Sequence, residues 1–359
     1  MQNLLWGRAA GRCAFSGCNR PLYKSPVTQE SVNIAEKAHI WAFAAGGPRA
    51  GRTRNEALND IDNLMLVCHD CHCKIDKNSE KYPAELLQQM KAAHEGRISL
   101  VTGIDPKRAS RVVLFGASIG AEKSPLDKDR AHQAMFPLRF PATEDPIKLS
   151  MSWAGRDNTD TYWATESANL TSEFDAQVRS QTAQVEHWSV FGLAPIPLLV
   201  LLGTLFTDKL NADVYQLQRE PFQSWSWSDT SIDTEFHVTP PQNQSGPAAL
   251  VISLSDRISH DRIFKVMGQT ASIWELSVAE PNNDFLKSRE QLSAFRTAAK
   301  RIIREIASVH GREQPLKIFP AMPVACAIEL GRIRMPKAEM PWEIFDQRQP
   351  DGFVRALVV

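Results

Sequence analysis

Two pairs of cysteines near the start of the chain have the spacing of metal ligands. The first pair is separated by four residues and the second by two, and the four residues are Cys13, Cys18, Cys68 and Cys71. Thiolates in two such pairs are a common ligand set for a tetrahedral structural Zn²⁺ site. A fifth cysteine, Cys73, is out of register with the second pair, and we leave it outside the predicted site. The sequence thus predicts a small zinc-held scaffold, the alternative being buried free cysteines.

Three further polar residues lie close to this scaffold in the sequence. His39 falls between the two cysteine pairs, Asn63 shortly precedes the second pair, and His72 directly follows Cys71. A histidine has an unperturbed pKa of about 6.5 and can act as a base toward water. A hard divalent ion held beside such a histidine can act as a Lewis acid. We therefore predict a second, catalytic metal site here, the alternative being that both histidines are structural.

The segments around these residues have distinct patterns. Residues 32–41, which carry His39, are predicted to form a strand, and a turn with glycine and proline follows at 46–49. Residues 82–97 are predicted to form an amphipathic helix that ends at Gly96. Three arginines occur in and after the turn, and they are Arg49, Arg52 and Arg54. They either clamp the phosphates of a nucleic acid or belong to a solvated basic loop.

This order of elements resembles the HNH endonuclease family, whose core is the ββα-metal finger. The matching segments are Ala-His39-Ile, Gly-Gly-Pro-Arg49, Asp-Asn63-Leu and Val-Cys68-x-x-Cys71-His72, all within residues 1–97. The resemblance implies that His39 activates a water molecule against the phosphodiester. It implies that Asn63 braces the loop that holds this histidine. It also implies that His72 binds the catalytic divalent ion, Mg²⁺ or Mn²⁺.

One position departs from the commoner pattern of that family. Many members have Asp or His directly before the first histidine as a second metal ligand, whereas this chain has Ala38. Residues two apart in a strand share a face, so Glu36 lies on the same face as Ala38. Glu36 is therefore the predicted carboxylate that joins His72 on the catalytic ion, the alternative being an ordinary exposed glutamate. His69 and Cys73 are also close to the predicted metal sites.

The remainder of the chain alternates between predicted strands and helices. Strands are predicted at residues 111–115, 147–153, 187–191, 212–219, 249–254 and 316–319, and helices at 170–182, 195–203, 288–309 and 322–332. A glycine-bearing turn at 116–120 follows the first strand, but it lacks the Gly-Lys-Ser/Thr ending of a P-loop, so ATP hydrolysis is not expected. Strands that alternate with helices favour parallel α/β layering.

Four diffuse motifs follow one another in this second part of the chain. They are His187-Trp188-x-x-Phe191, Ile196-Pro197-Leu198 up to Gly203, Gln218-Arg219 with Trp225-x-Trp227, and Ile318-Phe319-Pro320 up to Leu330-Gly331-Arg332. Together they resemble the SAVED domain, which consists of two fused Rossmann-like units and binds cyclic oligonucleotides in bacterial anti-phage systems. Such a ligand needs flat partners for its bases and cations for its phosphates. The candidates are Trp153, Tyr215, Arg219, Trp225, Trp227, Arg332 and Lys337, each of which is also compatible with core packing or an ordinary surface position.

We therefore expect a multidomain chain of α+β and α/β type. An HNH finger is predicted at residues 1–98, a linker at 99–110 and a SAVED region with two fused Rossmann-like units at 111–359. This combination resembles the nuclease effector of a CBASS anti-phage system. The resemblance implies an endonuclease that degrades double-stranded DNA when a cyclic di- or trinucleotide binds, and a homo-oligomer that grows larger with ligand. The alternatives are a restriction-type HNH nuclease that senses modified DNA and a non-catalytic zinc-finger regulator that senses nucleotides.

Length and composition limit the number of domains, the partners and the cellular compartment that we expect for this chain. Its 359 residues suffice for two or three domains, and its formal net charge of zero does not indicate general affinity for nucleic acids. Cysteines clustered at metal-ligand spacing indicate a reducing compartment. The N-terminal residues lack a signal-peptide pattern, and the longest apolar run, 193–206, is shorter than the roughly 20 residues that span a bilayer. We therefore expect a cytoplasmic protein with no membrane partner.

Overall fold

The chain folds into two compact units. The computed structural model describes residues 2–42, 47, 49, 59–116, 125–151, 160–228, 230, 233–348 and 352–359. Within it, residues 1–105 form one unit and residues 106–359 form the other, and we refer to them as the N-terminal and C-terminal units. The finer predicted division, with a linker at 99–110, stays a prediction.

The described residues of the N-terminal unit form two strands and three α-helices. They are α1 (Gln2–Arg8), β1 (Ala35–His39), β2 (Leu64–Cys68), α2 (His69–Lys77) and α3 (Ala84–Thr102). The two strands are antiparallel, and His39 is opposite Leu64 while Glu36 is opposite Val67. All five residues of β2 are buried, as expected for a strand in the centre of a small core. The predicted ββα arrangement is confirmed, and β1 is shorter at both ends than the predicted strand.

Helix α3 is longer than the sequence indicates. The prediction ended the helix at Gly96, but the helix continues to Thr102 and is capped by Gly103. A glycine inside a helix costs about 1 kcal/mol relative to alanine, which is a penalty that a long helix tolerates. Nothing lies within 4 Å of the position that a Cβ would take at Gly96. The first residues of the predicted linker are therefore helical.

The first sheet of the C-terminal unit is parallel throughout. Its strands are β3 (Ala109–Gly116), β4 (Phe140–Pro141), β5 (Ile147–Ser150), β6 (Trp188–Leu193) and β7 (Ala212–Tyr215). Strand β3 is central, because it pairs with β4 and β5 on one side and with β6 on the other, and β7 follows β6. This sheet confirms the predicted parallel layering. Of the predicted turn at 116–120, residues 117–120 lie outside the described residues.

Within the described residues, the second sheet of the C-terminal unit has six strands, and those at its centre are parallel. The strands are β8 (His237–Thr239), β9 (Ala248–Ser253), β10 (Ser272–Ser277), β11 (Leu316–Ala321), β12 (Trp342–Arg348) and β13 (Gly352–Val358). Their order is β13-β12-β11-β9-β10-β8. Only the outer strands β13 and β8 are antiparallel to their neighbours. Strands β8, β10, β12 and β13 were not predicted from the sequence.

Helices complete a layered C-terminal unit. They are α4 (Lys128–Met135), α5 (Asp160–Gln177), α6 (Ile196–Phe206), α7 (His260–Met267), α8 (Arg289–His310) and α9 (Val324–Arg332). Residues of both sheets and of α5, α6, α8 and α9 share one large core. Alternate residues of the strands face away from it, toward α4 on the first sheet and toward α7 on the second. Helix α6 lies inside this core, which explains why it is apolar on nearly every face.

Helices α6 and α9 approach each other so closely that their backbones are in contact. The crossing is formed by Gly203 and Gly331. A Cβ at Gly203 would lie 2.0 Å from the carbonyl oxygen of Ile328, and a Cβ at Gly331 would lie 2.0 Å from that of Val200. Only glycine is compatible with this distance at either position. Among the described residues, no helix combines the length and apolar character needed to cross a membrane.

Candidate active site and metal centre

Four cysteines converge in the N-terminal unit, as predicted. Cys13 and Cys18 lie in a tight turn in which Gly17 has a φ of 80°. Cys68 ends β2 and Cys71 lies in the first turn of α2. The four Sγ atoms all lie within 4.8 Å of one another, and those of Cys18 and Cys68 are 3.9 Å apart. Tetrahedral ligands at a zinc–sulfur distance of about 2.3 Å are about 3.8 Å apart, so these positions fit a zinc ion.

The protonation chemistry of this cluster also fits a cation. Burial raises the pKa of Cys13 to about 12. Burial and the neighbouring Cys13 raise the pKa of Cys71 as well. Thiolates at such buried positions need a positive partner, and a bound metal supplies one. Metal ions in proteins are commonly bound by His, Cys, Asp and Glu side chains. Within the described residues, these four cysteines are the only group of three or more side chains of these types whose possible ligand atoms all lie within 4.8 Å of one another.

His39 and Asn63 meet at the end of the two-stranded sheet. The Asn63 side chain accepts a hydrogen bond from the backbone N–H of Trp41 at 2.9 Å and donates one to the Trp41 carbonyl at 3.1 Å. The buried side-chain amide of Asn63 therefore fixes the backbone directly after His39. The bracing role predicted for Asn63 requires such a contact. The imidazole Nε2 of His39 lies 3.2 Å from Oδ1 of Asn59, a neighbour that the sequence analysis did not identify.

Arg49 is a structural residue rather than a free phosphate ligand. Its side chain is 5% exposed. Its guanidinium donates to the carbonyl of Ile40 at 2.8 Å, to that of Ile75 at 3.0 Å and to that of His39 at 3.3 Å. It also donates to Asp76 at 3.0 Å. Arg49 thus joins the end of β1 to α2. This corrects both roles considered from the sequence, which were a phosphate clamp and a residue of a solvated basic loop. Arg52 and Arg54 lie outside the described residues.

Glu36 and His72 are brought together, as the strand argument requires. The Glu36 carboxylate lies against Nδ1 of His72 through Oε2 and 2.5 Å from Nδ1 of His69 through Oε1. Hydrogen bonds from His72 and His69 lower the pKa of Glu36. Cys73 stays outside the cysteine cluster, with its Sγ 3.5 Å from Nε2 of His69. Glu36 and His72 together therefore offer oxygen and nitrogen ligands for a second cation.

Two of the aromatic residues predicted to contact a cyclic nucleotide are core residues instead. Tyr215 is fully buried and stacks on Phe191, with ring centroids 4.3 Å apart. Trp225 is 1% exposed and donates its indole N–H to the Pro125 carbonyl at 2.7 Å. These contacts leave neither ring a free face for a base, so burial argues against the predicted stacking role.

Arg332 has a structural role of the same kind. It is 3% exposed and donates to the carbonyls of Thr207, Leu210 and Ala212 at distances of 3.2, 2.8 and 3.0 Å. It also pairs with Glu329 at 2.6 Å. These donors satisfy backbone acceptors in the segment after α6. The guanidinium is therefore committed to the protein, and its predicted contact with phosphate is not supported.

The other predicted ligand contacts differ in their surroundings. Trp227 is partly buried and lines a cavity of about 240 Å³ together with Arg289 and Ser226. Arg219 and Lys337 are exposed. Trp153 lies outside the described residues. Assignment of these four residues to a ligand stays a prediction.

The sequence analysis missed a partly buried ionic cluster in the C-terminal unit. Asp213 lies 3.0 Å from Arg139, 3.1 Å from Arg289 and 3.7 Å from His187. Burial acts to raise the pKa of Asp213, but His187, Arg289 and Arg139 outweigh it and hold this pKa well below its usual value. Since the four residues are far apart in the sequence, no local pattern indicated this cluster.

The geometry defines a chain of two parts. A ββα unit carries a cysteine cage beside a histidine–asparagine–histidine arrangement, and a two-sheet α/β unit accompanies it. Residues 13–79 match the HNH endonuclease family, and residues 170–359 match SAVED, the SMODS-associated and fused to various effectors sensor domain. Because the second match covers more than half of the 359 residues, the chain belongs to the SAVED family. The predicted combination of an HNH endonuclease domain with a SAVED domain is confirmed.

Comparison with other proteins adds distant structural neighbours. No curated protein matches the chain. The chain is similar to the Acinetobacter baumannii Cap4 SAVED/CARF-domain containing receptor with the cyclic trinucleotide 2'3'3'-cAAA, with a TM-score of 0.45 and 12% identity over 84% of this chain and 64% of that one. For the Moraxella osloensis Cap4 SAVED/CARF-domain containing receptor, the TM-score is 0.43 and the identity 11%, over 85% of this chain and 66% of that one. The chain spans less than two thirds of the length of either receptor.

Proposed function

We propose that this protein is a DNA endonuclease that a cyclic oligonucleotide activates, and that it acts as a CBASS effector in bacterial anti-phage defence. The observation that carries the proposal is the joining of two family matches in one chain, an HNH endonuclease at residues 13–79 and a SAVED sensor domain at residues 170–359. A sensor domain coupled to a nuclease domain is most simply a switch for the nuclease. We further propose that the substrate is double-stranded DNA and that the protein is cytoplasmic.

The HNH residues divide the chemistry of phosphodiester hydrolysis between them. His39 accepts a proton from the attacking water. Asn63 holds the backbone at Trp41, and so keeps His39 in place, through the two hydrogen bonds at 2.9 and 3.1 Å. His72 and Glu36 would hold a divalent ion, and that ion would supply positive charge to stabilise the charge that builds up on the phosphate. Cys13, Cys18, Cys68 and Cys71 hold structural zinc, whose binding stabilises the fold of the N-terminal unit.

The C-terminal unit supplies the proposed control. An endonuclease without control would degrade the DNA of its own host, so its activity must depend on a signal. A ligand can supply that control only if it binds the active form more tightly than the inactive form. We propose a cyclic di- or trinucleotide as that ligand, on the basis of the SAVED match.

The decisive experiment is a cleavage assay with purified full-length protein. Plasmid DNA is incubated with Mg²⁺ or Mn²⁺ and with each member of a panel of cyclic di- and trinucleotides. We expect cutting with one or a few of these ligands and none without ligand. Equal cutting with and without every ligand would favour a restriction-type nuclease, and ligand binding with no cutting under any condition would favour a non-catalytic regulator.

A further inference from the structure

Two arginines of the N-terminal unit converge on one asparagine. Arg12 donates to the backbone carbonyl of Asn19 at 3.1 Å, and Arg97 donates to the side-chain oxygen of Asn19 at 2.7 Å. Arg12 directly precedes Cys13, whereas Arg97 lies far along the chain on α3. Arg97 is exposed and Arg12 is partly exposed. The fold therefore brings to one surface two positive charges that are far apart in the sequence.

The charges of these two arginines are not offset by a carboxylate in direct contact. In the described part of the chain, no carboxylate oxygen lies within 4.0 Å of either guanidinium. Both charges act on His94: burial lowers the pKa of this histidine, and Arg97 and Arg12 lower it further. The carboxylate of Glu95 acts on His94 in the opposite direction, but it is itself paired with Lys91. The surface beside His94 therefore carries an excess of positive charge.

A groove of about 500 Å³ lies beside the two arginines. One wall is α3, on which Gln89, Ala93 and Arg97 follow at intervals of four residues and so share one face. The other wall is the turn that carries the first cysteine pair, with Ser16 and Asn19. The polar side chains of both walls are exposed. Arginine, glutamine, serine and asparagine are all residue types that donate hydrogen bonds to the phosphates of DNA.

The groove is on the far side of β2 from the strand that carries His39. Ile40 bonds to the carbonyl of Asn63 across the strand pair, so the carbonyl of Leu66, three residues later, points away from β1. That carbonyl accepts from the backbone N–H of Ala14, in the cysteine turn, at 2.9 Å. Neighbouring strands are about 4.8 Å apart, so this turn is about 10 Å from β1. A group bound in the groove is therefore separate from the bond that His39 attacks.

We propose that Arg12 and Arg97 form a contact site for the phosphate backbone of DNA, separate from the phosphate that is cleaved. A guanidinium donates to phosphate oxygens through a planar fork, and one without a carboxylate partner keeps its charge available for them. Contacts of this kind hold a duplex in position without reading its sequence. The inference rests on the proposed function, since it takes DNA as the partner, and it gives the N-terminal unit a second point of attachment to its substrate.

The salt dependence of DNA binding tests this site. Full-length, zinc-loaded protein with His39→Ala, which prevents cutting, is titrated onto a short fluorescent duplex without cyclic nucleotide or added divalent ion. Fluorescence anisotropy gives the binding constant between about 50 and 200 mM NaCl. Each phosphate contact contributes about 0.9 to the slope of log K against log salt concentration. We expect Arg12→Gln and Arg97→Gln each to reduce this slope by about 1, and the double variant to reduce it by about 2.

Two controls separate the charges of these arginines from their structural contacts. Arg8→Gln also removes an arginine of the N-terminal unit, but that guanidinium is paired with Asp62 at 3.1 Å, so the slope should stay the same. Arg12→Lys combined with Arg97→Lys keeps both charges and should keep the slope. The inference would be overturned by an unchanged slope in a folded Arg12→Gln/Arg97→Gln protein, or by a parent protein that binds no DNA. Cutting that does not depend on ligand would instead contradict the proposed function, and it would leave these slopes unaffected.

Discussion

At the scale of single residues, His39 lies where the ordered strand β1 ends and where Asn63 fixes the backbone that follows. If His39 is the base, His39→Ala should lower the rate of ligand-activated DNA cutting by about 10²- to 10⁴-fold, because a positioned base contributes that much to a rate. Folding and ligand binding should be unchanged. Cleavage rates on plasmid DNA and a thermal melt check both parts. The exposed His237 gives a control, since His237→Ala should cut at the wild-type rate.

The cysteine cluster makes a separate prediction about metal content. Cys68→Ser should lose bound zinc and destabilise the N-terminal unit, because binding of structural zinc contributes directly to folding. Cys73→Ser should keep both the bound zinc and the stability of the N-terminal unit, since Cys73 lies outside the cluster of four and contacts His69 instead. Elemental analysis of purified protein gives the zinc content. One full equivalent of zinc in Cys68→Ser would rule out the assigned cage.

His310 predicts a dependence of stability on pH. Its Nε2 accepts a hydrogen bond from Trp274 at 3.2 Å and lies 3.0 Å from the hydroxyl of Ser272, and burial lowers its pKa. The unfolded chain therefore binds a proton at this residue more readily than the folded chain, and stability should fall as the pH drops below about 6.5. His310→Gln should show a shallower loss of urea stability between pH 7 and pH 5 than the wild type. An identical slope in both proteins would contradict the assignment.

Residue types, together with the alternation of side chains between the two faces of a strand, were enough to predict much of the candidate N-terminal site. The cysteine spacing indicated the cluster, and the two-residue strand period placed Glu36 where it contacts His72. The role of Arg49 was not predictable, because its partners include three backbone carbonyls and a sequence does not show which carbonyls lack partners.

At the scale of secondary-structure elements, the crossing of α6 and α9 is the most demanding contact of the C-terminal unit. Gly331→Ala would place a methyl group 2.0 Å from the carbonyl oxygen of Val200, so the helices must separate. We expect a loss of about 3 kcal/mol or more in the free energy of unfolding of this unit. Denaturation followed by tryptophan fluorescence measures the change.

A second glycine provides the control for this prediction. Gly96→Ala also replaces a glycine inside a helix, but no atom lies within 4 Å of the new methyl group. Alanine is the better helix former, so this variant should gain up to about 1 kcal/mol. If Gly331→Ala were as stable as the wild type, the close backbone contact between α6 and α9 would be wrong.

The elements themselves were predicted unevenly, for physical reasons. Helix α8 was predicted nearly to the residue from its amphipathic pattern, and the structure shows that it begins at a capping box of Ser288 and Gln291. Helix α5 begins at Asp160, ten residues before the predicted start, since its first turns carry no strong apolar period. Tyr215 and Trp225 looked like free stacking rings, because aromatic residues serve equally well in a core, and only the folded structure separates the two uses.

At the scale of the whole molecule, gating requires that ligand changes either conformation or assembly. Raising an active fraction from 1% to 99% takes about 5.5 kcal/mol of differential binding, so the ligand must contact much more protein in the active form. A ligand shared between protomers would provide this difference in contact. We therefore expect analytical ultracentrifugation to show a larger mass with the activating cyclic nucleotide, and cutting to rise more steeply than linearly with protein concentration.

The ligand panel supplies the control for this prediction. A cyclic nucleotide that does not activate cutting should leave the sedimentation coefficient unchanged at the same concentration. A constant mass together with ligand-dependent cutting would mean that gating acts within a single chain. A constant mass with ligand-independent cutting would remove the sensor role altogether.

The order of residues at the start of α2 has a practical consequence for experiments. Cys71, a member of the cysteine cage, is followed directly by His72, the predicted ligand of the catalytic ion. A chelator that removes zinc from the cage would disturb the backbone that carries His72. Inhibition by a chelator therefore does not identify the catalytic metal. That metal should instead be identified by adding back single ions to protein whose zinc content is shown to be intact.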